Sequence, residues 1–570
     1  MSSKIELPTQ TLSELFEYAR KNYSENIALT KVDEEGMSYE QLGKNVEDLQ
    51  VILKSLGIKK GDKVALLSEN MPNWGVVYFA VTLIGAVIVP ILPDFHENEV
   101  HHIIRHSESK AIFVSKRHNE KVTIENNSLS YVFEVDSLNI VDELSSNVQK
   151  FFQKQKESLL DLKNRIISMT SGVDTVAEKE LILENDLAAI IYTSGTTGQS
   201  KGVMLTHLSL TFEAIVSQGM TPIGTQDRFL SILPLAHTYE CTVGFLVPLL
   251  GGSSIHYIDK VPTPRVLVAA MASVKPSYIL SVPLVIEKIY KSKIQPNFSK
   301  NIVISTLYKV PFIRKKLHEI AGKKLLETFG GNLKFFGVGG APLSAHVESF
   351  LREAKFPYAI GYGLTECAPM IAGCKPSLTK YRSTGPAVKG VELKIVKENE
   401  KDRDGEVYAR GPNIMLGYYK DEARTKMCID EEGWFNTEDL GYFDDDGYLF
   451  LQGRSKNVII GAGGENIYPE LVEAIINENE LVLDSLVYER EGKVVARIHM
   501  DYDKLDEIYD VKKSAESEIK LQIEDHLEKM RLEANSKLSS FSRVMKFIEQ
   551  SEPFVKTPTK KIKRFLYIDK

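Results

Sequence analysis

Residues 190–207 read IIYTSGTTGQSKGVMLTH. The apolar run ending in Ile190-Ile191-Tyr192 has the pattern of a buried strand, and it opens into Thr193-Ser194-Gly195-Thr196-Thr197-Gly198 with Lys201 close behind. Hydroxyl residues and glycines at one turn expose backbone N–H groups and side-chain donors together, which suits an anionic cluster such as a polyphosphate. Lys201 adds a positive charge for the terminal phosphate. A Walker A loop has Gly-x-x-x-x-Gly-Lys-Ser/Thr, whereas Lys201 stands between Ser200 and Gly202, so this is a different phosphate loop. The bland alternative is a Gly/Thr turn between a strand and a helix.

Five further stretches follow: LPLAHTYE from 233, GVGGAPLS from 337, GYGLTE from 361, WFNTEDLGYFDDDGYLFLQGRSKNVIIGAGGENIYPELVE from 434 and KTPTKKIKR from 556. Together with the phosphate loop they resemble the signatures of the adenylate-forming superfamily: acyl-CoA synthetases, luciferases and the adenylation domains of peptide synthetases. The resemblance is weakest over 117–185. It implies that Thr193, Ser194, Gly195, Thr196, Thr197 and Lys201 hold phosphates, that Gly340 and Ala341 lie against the adenine, and that His237 faces the acyl carboxylate. Tyr362 would stack on the purine, Thr365 donate to a phosphate and Glu366 ligate magnesium, tasks that suit a ring, a hydroxyl and a carboxylate. Asp439 would accept from both ribose hydroxyls, with Arg454 reaching the same ribose. Lys456 would mark the hinge of a small domain, Gly463 and Gly464 would face the thiol step, and Lys561, registered by Arg564, would be the adenylation lysine. Three positions depart from the pattern: Ser200 replaces a Pro, Glu438 replaces the Gly of Thr-Gly-Asp, and Lys560 replaces a Gly.

The implied reaction answers a chemical difficulty. A thiol cannot displace oxide from a carboxylate, so the carboxylate first attacks the α-phosphate of ATP, pyrophosphate leaves, and a thiolate then opens the mixed anhydride with AMP departing. Such transfers ask a protein for positioning and charge stabilisation. The expected co-substrates and metal are ATP, CoA and Mg²⁺, with Lys561, His237 and Thr365 catalytic and no protein nucleophile. HTYE, GAGGENIYPELVE and LSSFSRVMKFIEQSEPFVKTPTKKIKR look most like the long-chain fatty acyl-CoA synthetase branch, which makes a medium- or long-chain fatty acid the expected substrate. Transfer to an acyl carrier protein, arrest at the acyl adenylate, and a non-catalytic binding protein are the alternatives. The presence of Glu366, Asp439, Arg454 and Lys561 argues against the last. Residues 300–324 carry seven Lys/Arg against one Glu on a partly apolar pattern, which fits either an anionic membrane surface or a solvated basic helix near the nucleotide or CoA.

The elements that must position these residues are legible as alternating patterns. KVALLS at 63, AIFVS at 111, AAIIYTS at 188, RFLSILP at 228, SSIHYI at 253, SYILSVP at 277 and LKFFGVGG at 333 read as strands separated by helical periods, an α/β fold with layered parallel or mixed sheets. Gly-punctuated hairpin signals predict a β-rich part at 382–453 of a large N-terminal domain, 1–453. Residues 454–570 read as a smaller α+β domain, mobile by the resemblance. The apolar stretch 76–93 is interrupted by Thr82, Gly85 and Pro90 and reads as a buried helix running into a buried strand rather than a membrane span. Residues 117–185 read as a peripheral excursion. At 570 residues the chain exceeds one core, and its net charge of −7 excludes nucleic acid as a partner. Four irregularly spaced Cys suit a reducing compartment. The N-terminal stretch has a helical period and no export-signal core, so a cytoplasmic location is expected.

Overall fold

The computed structural model describes residues 5–122, 128–138, 181–193, 200–260, 263–299, 302–461, 465–509, 516–557 and 561–568. All seven strand-like runs form strands, and they fall into two seven-stranded sheets. In the first, Tyr131–Glu134, Ala111–Val114, Lys63–Leu67, Val87–Ile91 and Leu187–Thr193 run parallel, and Lys201–Thr206 and Gly417–Tyr418 close the edge antiparallel. In the second, Ile27–Lys31, Ser254–Tyr257, Arg228–Ser231, Tyr278–Ser281, Phe335–Val338 and Tyr358–Ile360 are parallel neighbours, with Met37–Ser38 antiparallel at one edge.

One core joins the two sheets through the helices Leu12–Tyr23, Tyr39–Ser55, Pro72–Thr82 and His207–Met220. Pro72–Thr82 is apolar on every side, the pattern of a fully buried helix. Its Trp74 and Tyr78 rings stack at 5.2 Å and both meet Phe245 edge-on. A turn at Gly85, with φ of 74°, passes the chain into the buried strand Val87–Ile91, as expected for 76–93. Among the described residues no helix is long and apolar enough to cross a membrane.

One expectation changes, and the segment after the phosphate loop is a strand. Within 117–185, Tyr131–Glu134 is an edge strand of the first sheet, with Phe133 stacked on Phe113 at 4.5 Å; its polar neighbours in sequence hid a short buried run. The phosphate-loop segment is flanked by two antiparallel strands, Thr193 pairing with Lys201. The helix begins only at His207, where Thr206 and Ser209 cap each other's backbone N–H.

Beyond the sheets, Glu392–Val396, Gly405–Arg410, Phe435–Phe443 and Leu449–Arg454 make a four-stranded antiparallel sheet. Buried and half-exposed residues alternate along Gly405–Arg410, the period-2 signature of a half-buried sheet. The last unit packs Pro469–Ile476 and Glu516–Lys537 on the three-stranded sheet Val482–Arg490, Lys493–Met500 and Lys546–Glu549, with its own core running from Ile459 to Phe547.

Candidate active site

Open parallel sheets gather ligand groups outside the carboxyl ends of their strands. Three loops leave the second sheet there: the one carrying His237, the one carrying Gly340 and Ala341, and the one carrying Tyr362 and Thr365. Gly361 N–H donates to the Val338 carbonyl at 3.1 Å, so the last two loops depart side by side. Gly340 has φ of 85°, which a Cβ would strain. The Asn70 amide holds the His237 loop, donating to the Leu233 carbonyl at 2.6 Å while its oxygen accepts from Leu235 N–H at 2.8 Å. Tyr239 N–H donates to His237 Nδ1 at 3.2 Å, which places the ring proton on Nε2. Burial, with the charge of Lys561 adding to it, pushes His237 down to about 4, so at neutral pH the ring is an uncharged donor.

Asp439 and Arg454 face each other in adjacent antiparallel strands. Arg454 Nε lies 2.8 Å from Asp439 Oδ1, and Tyr362 Oη donates to Oδ2 at 2.6 Å. Thr437 Oγ1 accepts from Asp439 N–H at 3.1 Å and donates to the Val407 carbonyl, fixing the strand beneath. Burial raises the Asp439 carboxyl while Arg454 and Tyr362 pull it back. Each carboxylate oxygen retains a second lone pair, so two ligand hydroxyls can still be accepted. The sequence offered Tyr362 as a stacking ring; the structure adds its hydroxyl as the group that orients Asp439.

Lys561 belongs to the C-terminal unit, and the described residues beside it are tied by backbone bonds. Thr557 N–H donates to the Lys561 carbonyl at 2.7 Å, Lys561 N–H returns to Thr557 Oγ1 at 3.1 Å, and Lys563 N–H reaches the Val555 carbonyl at 2.9 Å. Lys556 binds both oxygens of Asp484 at 2.7 Å, and Arg564 binds Glu473 at 2.8 Å and the Val487 carbonyl. Lys561 is exposed to solvent. Surrounding protein and Arg454 lower its pKa, and Asp439 and Glu366 act in the opposite direction. Lys561 is thus an electrostatic neighbour of His237, Asp439, Arg454 and Glu366 at once.

At the other end, Glu366 Oε1 accepts from Tyr418 Oη at 2.8 Å, and Lys201 Nζ lies 5.3 Å from the centre of the same ring. The short strand Gly417–Tyr418 delivers this tyrosine by pairing with Lys201–Thr206. No motif singled out Tyr418, because nothing in LGYY announces which tyrosine turns inward. Asn413 was equally silent; its amide donates to the Cys367 and Met370 carbonyls at 3.0 Å and pins the segment bearing Thr365 and Glu366. Among the described residues no cluster of three metal-ligating side chains exists. A lone Glu366 beside Thr365 and Lys201 fits a magnesium ion that arrives with a nucleotide and completes its shell with phosphates and water.

Lys456 Nζ lies 2.6 Å from Glu438 Oε1, and both charges act on Lys201. Glu438, in place of the family glycine, has φ of 59°. Ser194, Gly195, Thr196, Thr197, Gly463, Gly464 and Lys560 lie outside the described residues. A narrow cavity of about 50 Å³ runs beside the His237 loop, lined by Tyr239, Val243, Val247, Tyr278, Leu280 and Met370 among others.

The family described as AMP-binding enzyme matches residues 16–419. Long chain acyl-CoA synthetase 7, peroxisomal, of Arabidopsis thaliana is 28% identical over 508 residues, covering 84% of this chain and 71% of that protein. The chloroplastic long-chain-fatty-acid–acyl-carrier-protein ligase AEE15 of the same plant is 30% identical over 523 residues, covering 79% of this chain and 70% of its own. Among solved structures, the O-succinylbenzoate coenzyme A synthetase of Bacillus subtilis in complex with ATP and magnesium ion superposes with a TM-score of 0.72 at 20% identity, over 97% of this chain and 99% of that one.

Proposed function

Because this chain belongs to the AMP-binding enzyme family, we propose that it is an AMP-forming fatty acid:CoA ligase. The observation that carries the reading is that Lys561 acts on His237, Asp439, Arg454 and Glu366 together, with Asp439 held between Arg454 and Tyr362. In this reading Asp439 and Arg454 hold the ribose, Tyr362 backs the purine, and Gly340 and Ala341 floor the adenine site. Thr193, Lys201 and Thr365 meet the phosphates. Glu366 would ligate Mg²⁺, which neutralises phosphate charge when bound. Lys561 spans the acyl carboxylate and the α-phosphate, where a fixed ammonium stabilises charge that grows in the transition state, and His237 Nε2–H donates to the carboxylate. The chain divides at 453/454, with Lys456 at the hinge and Gly464 on the face used for the thiol step.

The cavity has room for little more than one or two waters, so an acyl chain enters by displacing flexible side chains such as Met370. The likeness to a carrier-protein ligase favours one second reading, in which the acceptor is the phosphopantetheine of an acyl carrier protein. One assay tests both: purified protein, ATP, Mg²⁺ and palmitate or decanoate, with either CoA or carrier protein, followed by mass spectrometry of the thioester. Acyl-CoA is expected. Acyl-carrier protein alone would establish the second reading, and no acyl adenylate with any acid would overturn both.

A further inference from the structure

The helices Ile302–Tyr308 and Pro311–Thr328 meet at a corner on the face of the second sheet turned away from the shared core. Their inner side is fully committed. Tyr308 Oη lies 2.8 Å from His318 Nε2, the Tyr308 ring stacks on Phe298 at 4.9 Å, and Leu325 is buried in the core beneath. The outer side carries Ile302, Leu307, Val310, Phe312 and Ile320, all exposed, Ile302 at 84% and Phe312 at 81%. On the same two helices Arg314 and Lys316 are paired with Glu353 and Glu319. Lys309, Lys315, Lys323 and Lys324 are exposed and form no ion pair among the described residues.

We propose that this corner docks on the surface of an anionic lipid bilayer. An exposed apolar patch of this kind can sink into the boundary between head groups and acyl chains, where no complementary shape is required. Lysine stems can lie along that boundary while their ammonium groups meet lipid phosphates. An acidic protein would satisfy the lysines and leave Ile302 and Phe312 in water. The apolar cavity beside the His237 loop lies on the other face of the same sheet, so the corner tethers the protein near a bilayer and does not form the mouth of that cavity. This extends the fatty-acid reading without resting on it, since lipid binding is measured without turnover.

The test is co-sedimentation of the full-length protein with vesicles of phosphatidylcholine alone or mixed with phosphatidylglycerol. Binding to the anionic vesicles, weakened by salt, is expected. Ile302→Ser with Phe312→Ser should lower it by about tenfold or more, from the apolar surface each side chain would bury, and Lys315→Glu with Lys324→Glu should abolish its preference for anionic lipid. Because these side chains are exposed, unchanged thermal unfolding of both variants checks that the fold survives. Equal binding to neutral and anionic vesicles, or variants that bind like the parent, would overturn the proposal. So would absence of vesicle binding together with capture of an acidic carrier protein that the lysine variant loses, which would make the corner a protein-docking surface instead.

Discussion

The nucleoside end of the site and its lysine end are built on opposite plans. Asp439 and Arg454 are register partners within one sheet, so their 2.8 Å contact forms when the sheet forms. Lys561 is bound just as firmly, but to its own unit, through Lys556 with Asp484 and Arg564 with Glu473. That unit meets the rest of the chain through polar contacts such as Lys291 with the Asn477 carbonyl, Gln295 with Glu480 and Lys456 with Glu438. The exposed ones, Gln295 with Glu480 and Lys456 with Glu438, contribute little individually. On the proposed two-surface reading, Lys561 moves with its own unit, and the Asp439–Arg454 contact, held within one sheet, does not have to break with it.

The largest expected effect breaks the lysine end alone. Lys561→Ala should lower pyrophosphate release by about 10²- to 10³-fold, the scale of losing one transition-state charge partner, and leave conversion of supplied acyl adenylate and CoA to thioester nearly intact. Equal damage to both half-reactions would dissolve the distinction between the two ends. Asp439→Ala comes next, removing at least one charge-assisted bond to the ribose, about 1.5 to 3 kcal/mol or 10- to 150-fold in apparent affinity for ATP. Its affinity for fatty acid should hold, and an unchanged affinity for ATP would remove Asp439 from the ribose.

How much of this was legible in the sequence follows the same division. Groups held by short-range patterns were readable: the seven strand runs, the buried helix at 72–82, and the His237, Tyr362, Asp439 and Lys561 segments each announce themselves in consecutive residues. What depends on distant pairing was not. Tyr418 lies 52 residues from the Glu366 it touches, and Asp484 lies 72 residues from Lys556; no local signal links them. Tyr131–Glu134 was lost because one strand of four residues in polar surroundings has too few turns of any period to register. The pairing of Thr193 with Lys201 was missed for a related reason: glycine and hydroxyl residues signal a turn but do not specify whether a helix or a strand follows.

A smaller effect separates the two units by pH. In the N-terminal unit, burial pushes His207 down to about 4, and its Nδ1 accepts from Leu12 N–H at 3.3 Å. The unfolded chain then binds a proton below the ordinary value of 6.5 that the folded unit refuses until about 4, so stability falls as pH drops across that window. In the C-terminal unit, burial raises Glu473 to about 7 against the pull of Arg564. There the unfolded chain releases its proton from 4.5 upward while the folded unit keeps it, so stability falls as pH rises towards about 7. Each group supplies at most about 1.4 kcal/mol per pH unit. Calorimetric scans from pH 4 to 7.5 should show His207→Asn flattening one limb and Glu473→Gln the other. If both substitutions act on the same limb, the opposed assignments fail.

The smallest effect is the most diagnostic, because it acts where the two ends are joined. Glu438 holds φ of 59° and its carboxylate reaches Lys456, while its carbonyl accepts from Ser455 Oγ at 3.2 Å. A side chain in the left-handed region costs about 1 to 2 kcal/mol, and an exposed ion pair returns about 0.2 to 1 kcal/mol. Glycine at this position would relieve the strain but enlarge the conformational freedom of the unfolded chain by about 0.5 to 1 kcal/mol. Global stability should therefore change little in Glu438→Gly, within about 1 kcal/mol of the parent. If the proposed hinge at Lys456 turns the C-terminal unit and breaks this pair, its loss should shift the docking equilibrium by up to about fivefold. Pyrophosphate release should fall by that factor and thioester formation from acyl adenylate rise or stay level. Glu438→Gln separates the causes, since it removes the charge and keeps the side chain in its strained backbone. If Gln reproduces the Gly effect, the ion pair biases the hinge; if only Gly acts, backbone freedom at 438 does; and if both half-reactions slow together, Glu438 serves the strand that carries Asp439 rather than the hinge.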